Sequence, residues 1–215
     1  AALDRNALSG SLTGVFLGIA STEFAQLLAL SPAGGSVYAA TGSSLSIASG
    51  RLSYVLGLHG PCASYDTACS AALAACHAGL RAMQRTECTA GLVTGVTVML
   101  APAAGVSFSI AGMTSARGQC HTFDARGDGY VRGEACGAIT LQNSPVGSQL
   151  SLCGCAVRQD GRSASLTAPN GQAQQGLLLA TLGDAGLEAS ALTLNEAHGT
   201  GTALGDPIEA GSLAA

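Results

Sequence analysis

Apolar residues in this chain come in short blocks set off by glycine and small polar residues. Gly14-Val15-Phe16-Leu17-Gly18-Ile19-Ala20 and residues 91–100 are continuous apolar runs rather than alternating ones. Runs of that length predict strands buried on both faces. Residues 133–141, 150–157 and 192–197 predict further strands, the first two joined by a hairpin-like turn at Asn143-Ser144-Pro145-Val146-Gly147. Helices are predicted over 51–58, over 70–85 with the basic end Arg81 and Arg85, and over 172–185 with Gly186 as its stop. Residues 36–49 are small and polar, and 105–113 predict a short helix or turn. Asp206-Pro207 predicts a last helix, with Asp206 as N-cap and Pro207 in the first turn. Buried strands alternating with helices imply an α/β layered fold. No low-complexity linker or composition shift divides the chain into two domains.

Composition narrows the options. A chain of 215 residues can bury a full core. Net charge is −4, charged residues make up 10%, and all nine basic residues are arginine without a basic stripe, so nucleic acid is not an expected partner. Hydrophobic residues reach 47% but aromatics only 4%, so the core must be built from Ala, Leu, Val and Gly. Thirty glycines without a simple repeat predict tight turns and close backbone contacts.

Residues 89–116 carry no charge and are long enough to span a bilayer. Pro102, four glycines and the polar Thr94, Thr97, Ser107 and Ser109 favour a buried strand, turn and helix over a membrane span. The first five residues lack a signal-peptide pattern, which leads to the expectation of an intracellular, cytoplasmic setting. The absence of an initiator Met suggests a piece of something longer. The eight cysteines, Cys62, Cys69, Cys76, Cys88, Cys120, Cys136, Cys153 and Cys155, form no C-x-x-C pair, and Cys153-Gly154-Cys155 is too tight for zinc. Reduced, mostly buried thiols and no metal are expected.

Two segments carry the candidate chemistry. Cys69 stands where a strand-like segment meets the first turn of the 70–85 helix. The free amides and positive end of that turn favour a thiolate, and the Cys69 backbone amide is the candidate oxyanion donor. His198 follows a predicted strand and precedes Gly199-Thr200-Gly201-Thr202, where it could stabilise developing negative charge. On spacing alone a lone cysteine or histidine is more often structural. The 124–134 loop is no calcium loop, since Arg126 occupies a ligand position and Glu134 falls one residue short. Gly199 to Gly205 is no dinucleotide fingerprint, and no G-x-S-x-G elbow exists.

The segments Gly60-Pro61, Asp66-Thr67-Ala68-Cys69-Ser70, Phe123-Asp124 through Gly133-Glu134, Gln159-Asp160-Gly161-Arg162, Thr167-Ala168-Pro169-Asn170-Gly171 and Glu196-Ala197-His198 through Ile208-Glu209 together resemble the β-ketoacyl synthase (ketosynthase) domains of modular, type I polyketide synthases. The family usually has serine at 62, 71 and 72, asparagine at 158, and Asn-Gly at 164–165; none of these departures touches the nucleophile. The resemblance implies a thiolase-like layered α/β/α/β/α fold, with one repeat nearly complete and the second truncated, so that 1–215 is a partial ketosynthase domain. It implies Cys69 as acyl-accepting nucleophile, His198 as the histidine that assists decarboxylation and stabilises the enolate, and Thr200 and Thr202 as hydrogen-bonding the phosphopantetheine arm. No cofactor is implied, because phosphopantetheine is carried by the partner acyl carrier protein. Acyl and malonyl thioesters are the implied substrates, and the full domain is expected to form a homodimer. The family's lysine, second histidine and oxyanion-completing turn lie beyond Ala215, so the piece alone is expected to be inactive. A fatty-acid in place of a polyketide role, a non-elongating or scaffold ketosynthase-like domain, and another thiolase-superfamily acyltransferase remain as alternatives.

Overall fold

The computed structural model describes residues 5–20, 22–143 and 150–215. The chain packs as two compact units, Ala1–Ala101 with Gly133–Leu150, and Pro102–Arg132 with Ser151–Ala215. It crosses from one to the other at three points.

The first unit runs α1 (Arg5–Leu8), β1 (Thr13–Ile19), α2 (Glu23–Ala29), α3 (Ala39–Ser43), α4 (Leu45–Leu56), β2 (Cys62–Tyr65), α5 (Ala71–Gln84) and β3 (Ala90–Thr97). The chain then enters the second unit as α6 (Pro102–Ile110) and returns as β4 (Ala135–Gln142). Among the described residues these strands form one sheet in the order β2-β1-β3-β4. β1 is parallel to β2 and to β3, and β4 closes antiparallel against β3, with Phe16 beside Val93 and Val93 beside Ile139. The first continuous apolar run is thus an inner strand: Gly14 to Gly18 are all buried. α5 covers one face, where Phe16, Ala75, Ala82, Met83, Cys88 and Val93 make the core. Burying a side chain the size of Phe16 contributes about 2–3 kcal/mol. α4 lies against β1 and β2. It ends on Gly57 in the left-handed region (φ 68), whose amide returns to Ser53 and Tyr54. At its middle the buried Ser49 hydroxyl accepts from Ser64 Oγ at 3.1 Å. The buried Glu23 at the start of α2 accepts the amides of Leu100 and Ala101 and so pins the end of the β3 connection.

The second unit is helical. α7 (Gly171–Ala185) starts on Asn170, whose side chain accepts from the amides of Gln172 and Ala173, and ends on Gly186 at φ 66. α8 (Gly205–Ala214) packs on it, with Ser212 Oγ donating to Gly171 O at 3.1 Å. The strands predicted over 150–157 and 192–197 are absent. Those residues pair with no ladder, and Leu150 and Leu194 are 90% and 82% exposed. A strand exists through its partner's hydrogen bonds. Here residues 153–155 are tied to α7 instead: the Cys155 amide donates to Asp184 at 2.9 Å, and a Cβ at Gly154 would sit 2.7 Å from the Ala185 nitrogen. The predicted turn at 143–147 falls almost wholly outside the described residues. Asp206 is not an N-cap but lies inside the first turn of α8, after Leu204. Among the described residues no helix is long and apolar enough to cross a membrane.

Candidate functional site

β2 delivers the chain to Asp66 and Thr67, and one 3-10 turn, Ala68–Ser70, then runs directly into α5. Ala68 is left-handed (φ 53), a conformation that costs a residue with a Cβ about 1–2 kcal/mol. Local bonds hold it: Asp66 Oδ1 accepts the Ala68 amide at 3.1 Å, and Ser70 Oγ lies 2.9 Å from both Thr67 O and Thr67 Oγ1. Cys69 sits on the crest of this turn and is exposed. No side chain caps the start of α5, and its first turn holds no acidic residue. The positive end of α5 is therefore not offset by a carboxylate in its first turn, although the Ser70 and Ala71 amides are themselves bonded to Thr67 O and Ala68 O. The thiols are not mostly buried as the sequence led one to expect: five of the eight are exposed and Cys88 alone is buried, with Cys76 and Cys155 between. Cys76 and Cys88 differ from Cys69. Burial pushes both up from their ordinary range, and the neighbouring Glu87 adds to the effect at Cys88 against a counteracting bond from the Gly14 backbone.

His198 belongs to the second unit, on a turn gripped by two carboxylates of α8. Glu209 takes the His198 amide on Oε1 at 2.6 Å and the Gly199 amide on Oε2 at 2.8 Å. Asp206, buried, takes the Gly201 amide on Oδ1 at 2.9 Å and the Phe123 amide on Oδ2 at 2.6 Å. The turn can present its amides this way because Gly199 (φ 55) and Gly201 (φ 70) are both left-handed. Thr122 Oγ1 donates to Gly199 O at 2.7 Å, and the Gly129 amide donates to Gly201 O at 2.9 Å. The His198 side chain is left exposed. Thr200 Oγ1 and Thr202 Oγ1 are 3.0 Å apart, and Thr202 Oγ1 also accepts the Gly205 amide at 3.1 Å. Two hydroxyls share one bond, so one hydroxyl proton remains for a ligand.

The loop that supports this turn is itself ionically braced. Asp128 accepts Ser115 Oγ at 2.7 Å and Arg117 Nε at 3.0 Å, and those two bonds hold its carboxyl below the ordinary range. The Arg126 side chain and amide beside Asp124 hold that carboxyl well below the usual carboxylate range. Arg117 also reaches the Arg126 carbonyl.

The structure thus gathers His198, Thr200 and Thr202 on one turn, while Cys69 lies in the other unit. Sequence reasoning missed the holding roles of Asp206, Glu209 and Thr122. The available signal was the spacing of Asp206 and Glu209, three apart at a helix start, which sets both carboxylates toward the preceding turn.

In class, the chain has the thiolase-like α/β fold of ketosynthases. A ketosynthase from module 6 of the bacillaene synthase of Bacillus subtilis superimposes with a TM-score of 0.83 at 33% identity over 98% of this chain and 37% of its own. The oxazolomycin ketosynthase domain of Streptomyces albus gives 0.86 at 33% identity, over 98% and 37%. Sequence models of the β-ketoacyl synthase N-terminal and C-terminal domains match residues 1–145 and 150–215, and the chain belongs to the β-ketoacyl synthase family. It is 44% identical to the spectinabilin polyketide synthase system protein NorC of Streptomyces orinoci, over all of this chain and 10% of that protein. It is 42% identical to erythronolide synthase EryA2 of Saccharopolyspora erythraea, over all of this chain and 6% of that protein.

Proposed function

We propose that residues 1–215 are part of a ketosynthase domain that forms carbon–carbon bonds in polyketide assembly, with Cys69 as its nucleophile. The observation that carries this is the exposed Cys69 on a left-handed turn against the uncapped start of α5. In the first half-reaction Cys69 Sγ attacks the carbonyl of an acyl thioester, the Cys69 amide at the positive end of α5 takes the oxyanion, and the carrier thiol leaves with the proton. In the second, a malonyl thioester loses carbon dioxide, and its enolate carbon attacks the acyl carbonyl on Cys69. The C–S bond breaks, Cys69 returns as thiolate, and a β-ketoacyl thioester stays on the carrier. His198 donates a hydrogen bond to the enolate oxygen. Thr200 and Thr202 offer their spare hydroxyl proton to the phosphopantetheine arm, which arrives on an acyl carrier protein; the domain needs no cofactor of its own, and the complete domain works as a homodimer.

The two half-reactions separate the roles. In the complete polypeptide encoded by the reading frame containing residues 1–215, His198→Ala is expected to load an acyl group on Cys69 and to lose about 10²-fold or more in carbon dioxide release from malonyl thioester. Decarboxylation at the unmodified rate would remove His198 from the mechanism.

A further inference from the structure

Gly18 on β1 and Gly95 on β3 are register neighbours, side by side across the two inner strands. The first turn of α5 rests on this pair. A Cβ at Gly18 would lie 2.5 Å from the Ala72 nitrogen, 2.6 Å from Ala71 C and 2.6 Å from Ala72 Cα. A Cβ at Gly95 would lie 2.9 Å from Ala72 Cβ, with the next atom, Ala72 Cα, 4.0 Å away. The first contact is with backbone and the second with a single methyl.

We propose that Gly18 and Gly95 form a side-chain-free seat that positions Cys69, acting through the first turn of α5. The proposal rests on the reading of Cys69 as nucleophile. β1 cannot yield, since it is bonded to a strand on either side. α5 cannot slide along the sheet: Ala75 is fully buried, and Gly79 comes so close that a Cβ there would meet the Phe16 ring and Val93 at 3.1 Å. Extra volume beneath Ala71 and Ala72 therefore tilts the start of the helix away from the sheet. The Ala68–Ser70 turn is continuous with that start and braced by Asp66 and Thr67, so the tilt is passed to Cys69. Neither glycine is in a left-handed conformation, which leaves the close approach as the reason for glycine at both places.

The two glycines answer differently to one partner change, and that difference is the test. Acyl loading from a short acyl thioester is timed by peptide mass mapping in the complete polypeptide, with native folding checked by circular dichroism and thermal melting. Gly95→Ala is expected to slow loading at saturating thioester by about tenfold or more, with KM unchanged, because small displacements of a reacting atom are costly. Ala72→Gly in the same chain removes the methyl that Gly95→Ala meets and is expected to restore loading. Gly18→Ala is expected to slow loading as well, without rescue by Ala72→Gly, because its contact is with backbone. Wild-type loading in folded Gly95→Ala overturns the proposal, as does a defect that persists in Gly95→Ala with Ala72→Gly. Should Gly95→Ala fail to fold, Gly95→Ala with Ala72→Gly carries the test: a folded double variant that loads at the wild-type rate supports the seat, and one that still misfolds or loads slowly overturns it. Failure of the unmodified protein to load at Cys69 defeats the nucleophile assignment, and the proposal with it, in a way that no variant result can imitate.

Discussion

Cys69 and His198 are held by opposite means. The cysteine's turn is placed by shape: inner strands stripped of side chains at Gly18 and Gly95, a helix of alanines, and a core of Phe16, Ala75, Met83 and Val93. The histidine's turn is placed by charge: Asp206 and Glu209 together accept four backbone amides, and no ladder supports residues 192–197. Packing tolerates no added volume and needs no charge to hold its geometry. A carboxylate clamp tolerates small shifts but needs its charge and its acceptor geometry. One chain thus carries two ways to fix a candidate catalytic group, and each has its own way to fail.

The first unit should fail through volume. Phe16→Ala empties the space between β1 and α5 and is expected to cost about 3–5 kcal/mol, read from chemical denaturation, because α5 and the sheet can only partly close the void. A loss below about 1 kcal/mol would mean that the core is not where stability resides.

The second should fail through polarity. Asp206→Ala leaves the buried Gly201 amide and the partly buried Phe123 amide without their acceptor and is expected to cost about 2–4 kcal/mol. Amide exchange should rise around 122–123 and 198–206 while β1 and β3 stay protected. Asp206→Asn keeps the shape but turns one acceptor into a donor, so it should fall between wild type and alanine. Equal exchange across both regions would contradict the separation.

The smallest effect is in pH, and the two units should respond at opposite ends. Asp124 and Asp128 are depressed by their arginine and serine partners, so their stabilisation is present above the ordinary 3.8 and is lost as pH falls below it. Both are exposed enough for salt to weaken the effect. Cys76 and Cys88 are raised by burial, so the folded state keeps their protons, and stability is lost as pH rises past the ordinary 9.0. Exchange measured region by region should show 114–130 loosening first in acid and α5 with its flanks loosening first in alkali.

The difference between shape and charge also decides what could be read from the sequence. β1, α5, β3 and α7 were legible because each announces itself locally, by an unbroken apolar run, small helix formers, or the stop at Gly186. Cys69 and His198 stand out as candidates because their neighbours form long, specific segments. The runs 150–157 and 192–197 misled because apolar composition reports burial only when a partner strand is there to provide it. Leu194 shows the same composition in the open. α2 was not predicted at all, and its buried Glu23 is spent on two amides some 80 positions away, as seen for Leu100 and Ala101 at separations of 77 and 78. Asp206 was read as a local cap because local caps are what an Asp-Pro pair usually makes; its true partners are Gly201 and Phe123. Gly18 and Gly95 hid among thirty glycines, since only their approach to Ala72 distinguishes them.

The central claim is that Cys69 is the acyl-accepting nucleophile. The complete polypeptide containing residues 1–215, and its Cys69→Ala variant, would be incubated with a short acyl thioester and mapped by peptide mass. The account predicts a thioester-linked acyl group on the peptide carrying Cys69, absent from the variant, with Cys76 and Cys88 unmodified. An acyl group that persists in folded Cys69→Ala, or no acyl group at all on folded wild-type protein, would contradict it.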